Sequence, residues 1–146
     1  ATVPINVTAN TWTKLTNDTL GPNTKTDAFP SGITTLWNSV NNQIDLSQLP
    51  LKSMVNARYD LVVTTTAVNQ VINLSVFLAV GSPSAYESPK LTVQFKNVGT
   101  YPLTVFTGSY IGSTDIRDYP AEIKLKSDSN CTVRVNGWYF QIFKKV

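Results

Sequence analysis

The sequence has no histidine and only one cysteine, Cys131. Without histidine the commonest general base and metal ligand is missing, which excludes a Ser-His-Asp triad, a Cys-His pair and a histidine-ligated metal site. A single cysteine excludes an intrachain disulfide and a zinc site made of cysteines. Cys131 stands next to the alternating Val133 and Val135 at a strand start, which predicts a buried or half-buried thiol. We therefore expect no cofactor.

Charge is scarce as well, and long apolar runs are absent. Charged residues make up 14% of the chain, against roughly 25% in typical soluble domains. The net charge of +3 is scattered, and Lys144–Lys145 is the only adjacent basic pair, so no nucleic-acid track is expected. No apolar run approaches the roughly 18 residues of a membrane span. No charged and apolar leader is visible, and Ala1 is interpreted as following a removed initiator Met.

The stretch from Leu51 to Val80 has the clearest pattern. Apolar residues fall on alternate positions from Val55 to Val63, and a second run alternates from Ile72 onward. A period of two predicts two half-buried strands. The polar stretch between them is of hairpin length, so the sequence predicts one long hairpin. A hairpin this long cannot shield its own apolar face, and other strands must cover it.

Further alternating segments predict eight to ten strands in all, without a convincing helix. They are Asn10 to Thr16, Leu91 to Phe95, Tyr101 to Val105, Ala121 to Leu125 and Val133 to Ile142. The apolar phase of the last one slips at Asn136-Gly137, which predicts a β-bulge, and a second bulge is expected at Gly108. This spacing predicts an all-β, antiparallel two-sheet sandwich or a barrel, and the jelly roll fits the strand count best.

Residues 33 to 49 admit two interpretations. Their apolar residues have the spacing of a short helix, but several asparagines compete for backbone hydrogen bonds and disfavour one. We favour two short strands, Thr34 to Asn38 and Gln43 to Leu46, around a turn at Asn41-Asn42.

With histidine absent, only carboxylates remain for catalysis or metal binding. Asp115 and Asp118 share a turn with Arg117 and have the oxygen ligands that calcium uses, but a turn closed by its own aspartates is the favoured interpretation. Glu87 and Glu122 have the residue type of a glycosidase pair, yet nothing in the sequence brings them together.

Two observations leave alternatives open. Arg58 and Asp60 share the polar side of a long strand, where they form a weak surface pair if exposed, or a pair that fixes register if another subunit covers them. The six tyrosines could form a sugar-stacking surface, although covering sheet ends or subunit contacts is the commoner role.

Several stretches together resemble a known family. They are Asn10 to Leu15, Phe29 to Gly32, Leu36-Trp37, Ser53 to Leu61, Tyr119 to Ile123 and Val135 to Tyr139. In order and spacing they resemble the tumour-necrosis-factor-like (TNF-like) jelly rolls of tailed-phage structural proteins, particularly capsid decoration (cement) proteins and fibre heads. The resemblance runs from about Asn10 to the end of the chain.

The resemblance implies a homotrimer in which one sheet of each subunit packs around a threefold axis. It places Arg58, Tyr59 and Asp60 on the long strand near the trimer contact, and Trp138 and Tyr139 beside the core and the interface. It implies neither an enzyme nor a cofactor.

Residues 1–9 predict an extended N-terminal arm before a jelly-roll domain at 10–146. Val3, Ile5 and Val7 alternate with polar residues, and Pro4 argues for a sheet edge. Such an arm could bind along a capsid subunit or add to a neighbouring sheet. Since no repetitive shaft precedes the domain, the prediction is a trimeric decoration protein on the outer surface of the virion's capsid, with the major capsid protein as its partner.

The alternative hypothesis is a receptor- or carbohydrate-binding head domain of a phage tail fibre or spike. It would bind a surface glycan through the loops at Asn17 to Gly32, Gly81 to Pro89 and Gly112 to Pro120. Neither hypothesis involves nucleic acid or a membrane.

Overall fold

The computed structural model describes residues 3–16 and 25–146, and these are organised mainly as β-strands. The strands are β1 (Ile5–Val7), β2 (Thr13–Lys14), β3 (Trp37–Asn38), β4 (Gln43–Ile44), β5 (Met54–Thr65), β6 (Gln70–Leu78), β7 (Tyr86–Glu87), β8 (Leu91–Phe95), β9 (Thr100–Tyr110), β10 (Glu122–Ser127) and β11 (Cys131–Phe143). A short helix, α1 (Thr114–Asp118), lies between β9 and β10. In the described ranges no helix has the length and apolar character needed to cross a membrane.

Eight main strands form two antiparallel sheets. Sheet A has the order β1-β11-β5-β9, and sheet B has the order β2-β10-β6-β8, with β7 also paired to β6. Each sheet combines strands from the beginning, the middle and the end of the chain. Eight strands crossing between two sheets in this way form a jelly roll. The predicted fold class, an antiparallel two-sheet jelly-roll sandwich, is confirmed.

The predicted central hairpin is wrong. β5 lies inside sheet A between β11 and β9, whereas β6 lies inside sheet B between β10 and β8. In both strands the side chains at every second position are buried. Because the two strands belong to opposite sheets, their apolar faces are turned toward each other. The residues between them therefore form an arch from one sheet to the other.

Gln70 holds this arch in place. Its side chain is 1% exposed. The Oε1 atom accepts the backbone N–H groups of Thr66 and Ala67 at 2.9 and 3.1 Å. The Nε2 atom donates to Ser127 Oγ at 2.7 Å and to the carbonyl oxygen of Ser129 at 2.9 Å. One amide thus ties the arch to the turn between β10 and β11.

The core fills the space between the two sheets, with alternate residues of the main strands buried. Those from the long strands include Val55, Ala57, Tyr59, Leu61, Val63, Ile72, Leu74, Val76, Leu78, Val105, Ile123, Leu125, Val133 and Val135. Burying one aliphatic side chain of this size stabilises by about 1.5–3 kcal/mol. A slip of one residue in any strand would expose its whole set, so the pattern fixes the register.

The bulge predicted in the last strand is confirmed. β11 pairs with β5 up to Val135, opposite Leu61, and the register then shifts so that Gly137 lies opposite Asp60. The extra residue keeps apolar side chains of both halves of β11 directed to the core. By contrast, β9 pairs with β5 through Gly108 without a shift. The second predicted bulge is wrong, because the inward positions of β9 keep one phase from end to end.

The ambiguous residues 33 to 49 contain two short strands, as predicted. Trp37 pairs with Ile44 and Asn38 with Gln43, around a turn in which Asn42 has a φ of 52°. The expectation of no helix is wrong in one place. Residues 114–118 form a single helical turn, because Ser113 caps it by accepting the backbone N–H of Ile116.

Part of the predicted arm is a strand of the subunit's own sheet. Residues Ile5–Val7 pair with β11, and Val7 is 2% exposed. Val3 and Pro4, which precede this strand, are exposed. The capsid-binding role of Val3, Pro4, Ile5 and Val7 stays a prediction, with Ile5 and Val7 acting as anchors of the arm.

Replacing Gln70 with alanine should lower the free energy of unfolding by about 2–3 kcal/mol, because two backbone N–H groups and a buried hydroxyl lose their partner. Urea denaturation measures this change. Gln94→Ala is the matched control, since Gln94 is exposed and makes one long hydrogen bond, at 3.4 Å, to the Asn69 carbonyl. Equal losses in both variants would show that the arch does not depend on Gln70.

Candidate functional site: the outer face of sheet A

Two rows of large side chains cross the outer face of sheet A. Strand side chains alternate between faces, so the outward residues of β5, β9 and β11 share one side of the sheet. In the observed register the rows are Tyr139–Arg58–Phe106 and Phe143–Met54–Tyr110. We call these six residues the aromatic face.

The aromatic face is open to solvent. The exposed fraction of its apolar members ranges from 40% for Met54 to 75% for Phe106. Single exposed apolar side chains are ordinary on a soluble protein, whereas several on three adjacent strands indicate a contact surface.

A groove of about 540 Å³ lies along the Tyr139–Arg58–Phe106 row, on the side that faces the second row. Its floor is the intervening row of Gln141, Asn56 and Gly108, and Phe106 and Tyr139 form its walls. Gly108 keeps the groove open, because a Cβ atom there would lie 3.2 Å from Asn56 Oδ1. The groove therefore combines two aromatic rings with two side-chain amides.

Arg58 and Asp60 form a two-pronged ion pair beside this groove. Arg58 Nε and Nη2 lie 3.0 and 2.7 Å from the two carboxylate oxygens of Asp60. Thr104 Oγ1 donates to the same carboxylate at 3.0 Å, and the guanidinium lies 4.9 Å from the centre of the Tyr139 ring. The hydrogen bond from Arg58 holds the pKa of Asp60 below its ordinary value. Fork geometry and ring stacking fix the position of Arg58.

Tyr59 and Trp138 lie on the opposite side of the same strands. Tyr59 is 1% exposed, its hydroxyl is 3.1 Å from Thr107 Oγ1, and its ring meets Trp138 edge-on at 4.7 Å. Trp138 also stacks on Trp37 at 5.1 Å. Burial raises the pKa of Tyr59 well above its ordinary value. Together these three rings close one end of the core.

The five predicted trimer-contact residues thus divide into two groups. The structure brings Arg58, Asp60 and Tyr139 together on the outer face, while Tyr59 and Trp138 point inward. Tyr59 cannot contact another copy through its side chain, because the subunit's own core already covers it. Phe106, Phe143 and Met54 were missed, and Tyr110 was considered only as one of the six tyrosines. The signal of the three missed residues was in the sequence, since each is a large apolar residue one position beyond the end of a predicted strand, on its outward phase.

The other residues considered for chemistry make local contacts. Cys131 is 4% exposed, and burial raises the pKa of its thiol; the predicted buried cysteine is confirmed. Arg117 pairs with Asp118 at 2.6 Å. Among the residues that the structure describes, no group of three or more acidic or cysteine side chains is placed to hold a metal.

Glu122 and Glu87, considered as a catalytic pair, lie on the outer face of sheet B on either side of Phe77. Glu122 accepts from Gln43 Nε2 at 2.8 Å and lies 3.3 Å from Lys14 Nζ and 3.1 Å from Lys124 Nζ. Burial opposes its ionisation, but the hydrogen bonds from Gln43 and Lys124 and the charge of Lys14 outweigh burial, so its pKa is lowered. An acid held ionised in this way is unsuited to donate a proton.

No protein-family model matches the chain, and no curated protein does. Among solved structures it is similar to a chain of the cowpea mosaic virus top component, described as naturally occurring empty particles, at 8% identity and a TM-score of 0.35. The match covers 66% of this chain and 60% of that one, so the chain spans less than two thirds of its length. The fold assignment rests on the strand order given above: the chain is a jelly-roll sandwich.

Glu122→Gln should lower the free energy of unfolding at neutral pH. The difference in that free energy between the variant and the unaltered chain should shrink as the pH falls. A carboxylate whose pKa is lowered by folding stabilises above its unfolded value, about 4.3, and loses that contribution as it is protonated. Urea unfolding between neutral pH and about pH 3 tests this. Asp27→Asn, in an exposed turn, controls for the loss of one negative charge. A difference independent of pH would contradict the role assigned to the Glu122 carboxylate.

Proposed function

We propose that the chain is a non-enzymatic viral structural protein. More specifically, we propose a TNF-like, trimeric capsid decoration (cement) protein. It binds and stabilises neighbouring major capsid protein subunits on the outer surface of the virion. The observation that carries the proposal is the aromatic face, an exposed apolar surface on a jelly roll whose sequence resembles phage decoration proteins. The described residues offer structural contacts rather than a catalytic constellation.

In this proposal the aromatic face packs between copies around a threefold axis. A buried aromatic side chain removes about 150–250 Å² from solvent. With five large apolar side chains roughly half exposed, the face offers on the order of 400 Å² of apolar surface. That amount suits the centre of an interface that buries about 800 Å² per partner. Polar strand residues around it would form the rim.

The Arg58–Asp60 pair fits the middle of such a contact. The two charges already satisfy each other, and Thr104 supplies a further hydrogen bond. A neighbouring copy that covers the pair therefore leaves no charge without a partner. A buried charge without a partner is the main penalty for burying ionised groups. A pair with this fixed geometry would also specify how the neighbouring copies align.

The N-terminal arm supplies the proposed contact to the capsid. β1 is the edge strand of sheet A, so the residues before Ile5 leave the sandwich at its margin. Val3 and Pro4 are exposed there. Three arms on one trimer would bind together with much higher avidity than one, because the second and third contacts are intramolecular.

Native mass measurement is expected to find three copies of the 16.0 kDa chain. Phe106→Lys should convert the trimer to monomers, because it places an unpaired ammonium group in an apolar contact at a cost of several kcal/mol per copy. Light scattering over a range of concentrations measures both species.

Val98→Lys is the matched control for this substitution. Val98 is 56% exposed but lies in the turn between β8 and β9, away from the aromatic face. Its trimer should be unchanged. A monomeric unaltered chain at high concentration, or dissociation of both variants, would overturn the proposed contact.

Deleting residues 1–4 should abolish co-sedimentation with undecorated capsids and leave the trimer intact, because β1 stays in place. Deleting residues 1–9 should also lower the midpoint of urea unfolding, since Val7 is part of the core. Full decoration by the trimer that lacks residues 1–4 would show that the arm has no role in capsid binding.

The groove favours a second candidate function, glycan binding by a receptor-binding head. The groove is lined by the aromatic rings of Phe106 and Tyr139 and by the amides of Asn56 and Gln141, which are groups suited to stacking on sugar rings and bonding their hydroxyls. The two functions compete for one surface, because a trimer built on the aromatic face covers the groove. The second proposal would replace the first if the unaltered chain is monomeric and binds glycans, and if Phe106→Ala abolishes that binding.

A further inference from the structure

The fold gathers four lysines on the outer face of sheet B, on the opposite side of the sandwich from the aromatic face. They are Lys14 on β2, Lys90 between β7 and β8, and Lys124 and Lys126 on β10. Within the described part of sheet B and this link, the acidic residues are Glu87 and Glu122. The face thus has an excess of two positive charges, most of the +3 of the whole chain. We call it the lysine face.

Two aromatic rings lie at the centre of the lysine face. Trp12 meets Phe77 edge-on at 5.2 Å. Lys124 Nζ lies 4.5 Å from the centre of the Phe77 ring, and Lys126 and Lys90 Nζ lie 5.2 and 5.8 Å from that of Trp12. Attraction to the rings holds the ammonium groups near one another. The cations are therefore arranged before any partner arrives.

Three of the four lysines have a carboxylate partner on the same face: Lys14 and Lys124 share Glu122, and Lys90 Nζ lies 3.4 Å from Glu87 Oε1. Lys14 and Lys124 are directly opposite each other on paired strands, a position in which like charges destabilise a sheet. The carboxylate of Glu122 lies between them and offsets that pair. Lys126 has no carboxylate within ion-pair distance among the described residues. A surface that concentrates cations in this way is complementary to negative charge.

We propose that the lysine face is a docking surface for a carboxylate-rich segment of another protein. Charge complementarity selects that partner, and the half-buried Trp12 supplies the type of side chain that most often anchors a protein contact. In the proposed function, on which this part of the inference rests, the partner is the capsid subunit. The lysine face and the aromatic face lie on opposite sides of the sandwich, so both can be occupied at once.

Electrostatic docking of this kind depends on salt. Contacts between exposed charges weaken as the Debye length falls from about 30 Å at 0.01 M salt to about 8 Å at 0.15 M. The partner's carboxylates would approach the ammonium groups around Trp12, and the indole would report the contact through its fluorescence and its N–H resonance.

The experiment uses the full chain and a fluorescent polyglutamate peptide as the probe. Fluorescence anisotropy at low salt should show binding that weakens steeply with added salt, and the Trp12 indole N–H resonance should shift. The double variant Lys90→Glu/Lys126→Glu should bind at least about ten-fold more weakly, because two attractions become repulsions. The urea midpoint of each variant verifies folding.

The matched control is Lys52→Glu/Lys145→Glu, which changes the net charge equally at exposed lysines outside sheet B. It should weaken binding by no more than about three-fold, by long-range charge alone. Equal losses in both double variants, or no binding by the unaltered chain at low salt, would overturn the proposal. The proposal would also be overturned if the chain binds single-stranded DNA more tightly than polyglutamate and the Lys90→Glu/Lys126→Glu variant loses that binding. The lysine face would then be a phosphate-binding surface.

Co-sedimentation with undecorated capsids separates this inference from the proposed function. If Lys90→Glu/Lys126→Glu decorates capsids normally but no longer binds polyglutamate, the acidic docking surface holds and the capsid is not its partner. If it loses both, the capsid subunit presents the acidic segment. Failure of the unaltered chain to decorate capsids at all would count against the proposed function and leave the polyglutamate result to decide the surface.

Discussion

The fold depends on the burial of the inner faces of β5 and β6 against each other. Each strand offers an apolar side chain at every second position, and each is central in its own sheet. Stacking the strands, rather than pairing them, lets both apolar faces leave water at once. This choice requires the chain to cross between sheets within a few residues. The arch at 66–69, the positive φ of 54° at Asn69 and the buried amide of Gln70 all follow from that crossing.

The bulge in β11 decides which residues form the aromatic face. Before it, Val133 and Val135 point to the core; after it, Trp138 and the alternate residues beyond it do. Without the extra residue the second half of β11 would turn over, so Trp138 would meet solvent and Tyr139 the core. The stacking of Arg58 on Tyr139 and the walls of the groove therefore depend on one inserted position next to Gly137.

Local patterns predicted the strands, the bulge and the short strands around Asn42, because each depends on neighbours in the sequence. The hairpin failed because alternation shows that a strand has one apolar face but not which strand that face meets. The family resemblance placed Tyr59 near a subunit contact, although its phase, shared with Leu61 and Val63, marks it as core. Alternation alone places Lys124 and Lys126 on the outer side of β10, but the rest of the lysine face was beyond local reasoning: Lys14 and Glu122, which form an ion pair in it, are 108 positions apart.

The two outer faces differ in the way that their proposed partners require. When a surface meets copies of itself, an excess of one sign of charge meets the same excess on the neighbouring copy, so such a contact is favoured where the charges balance. The aromatic face satisfies this condition, since Arg58 is matched by Asp60 within the same subunit. The lysine face does not, because its excess cations would repel those of another copy. The lysine face would instead attract a different protein that carries an excess of carboxylates. Because the two faces lie on opposite sides of the sandwich, the contact with copies of the chain and the contact with that protein can form at the same time.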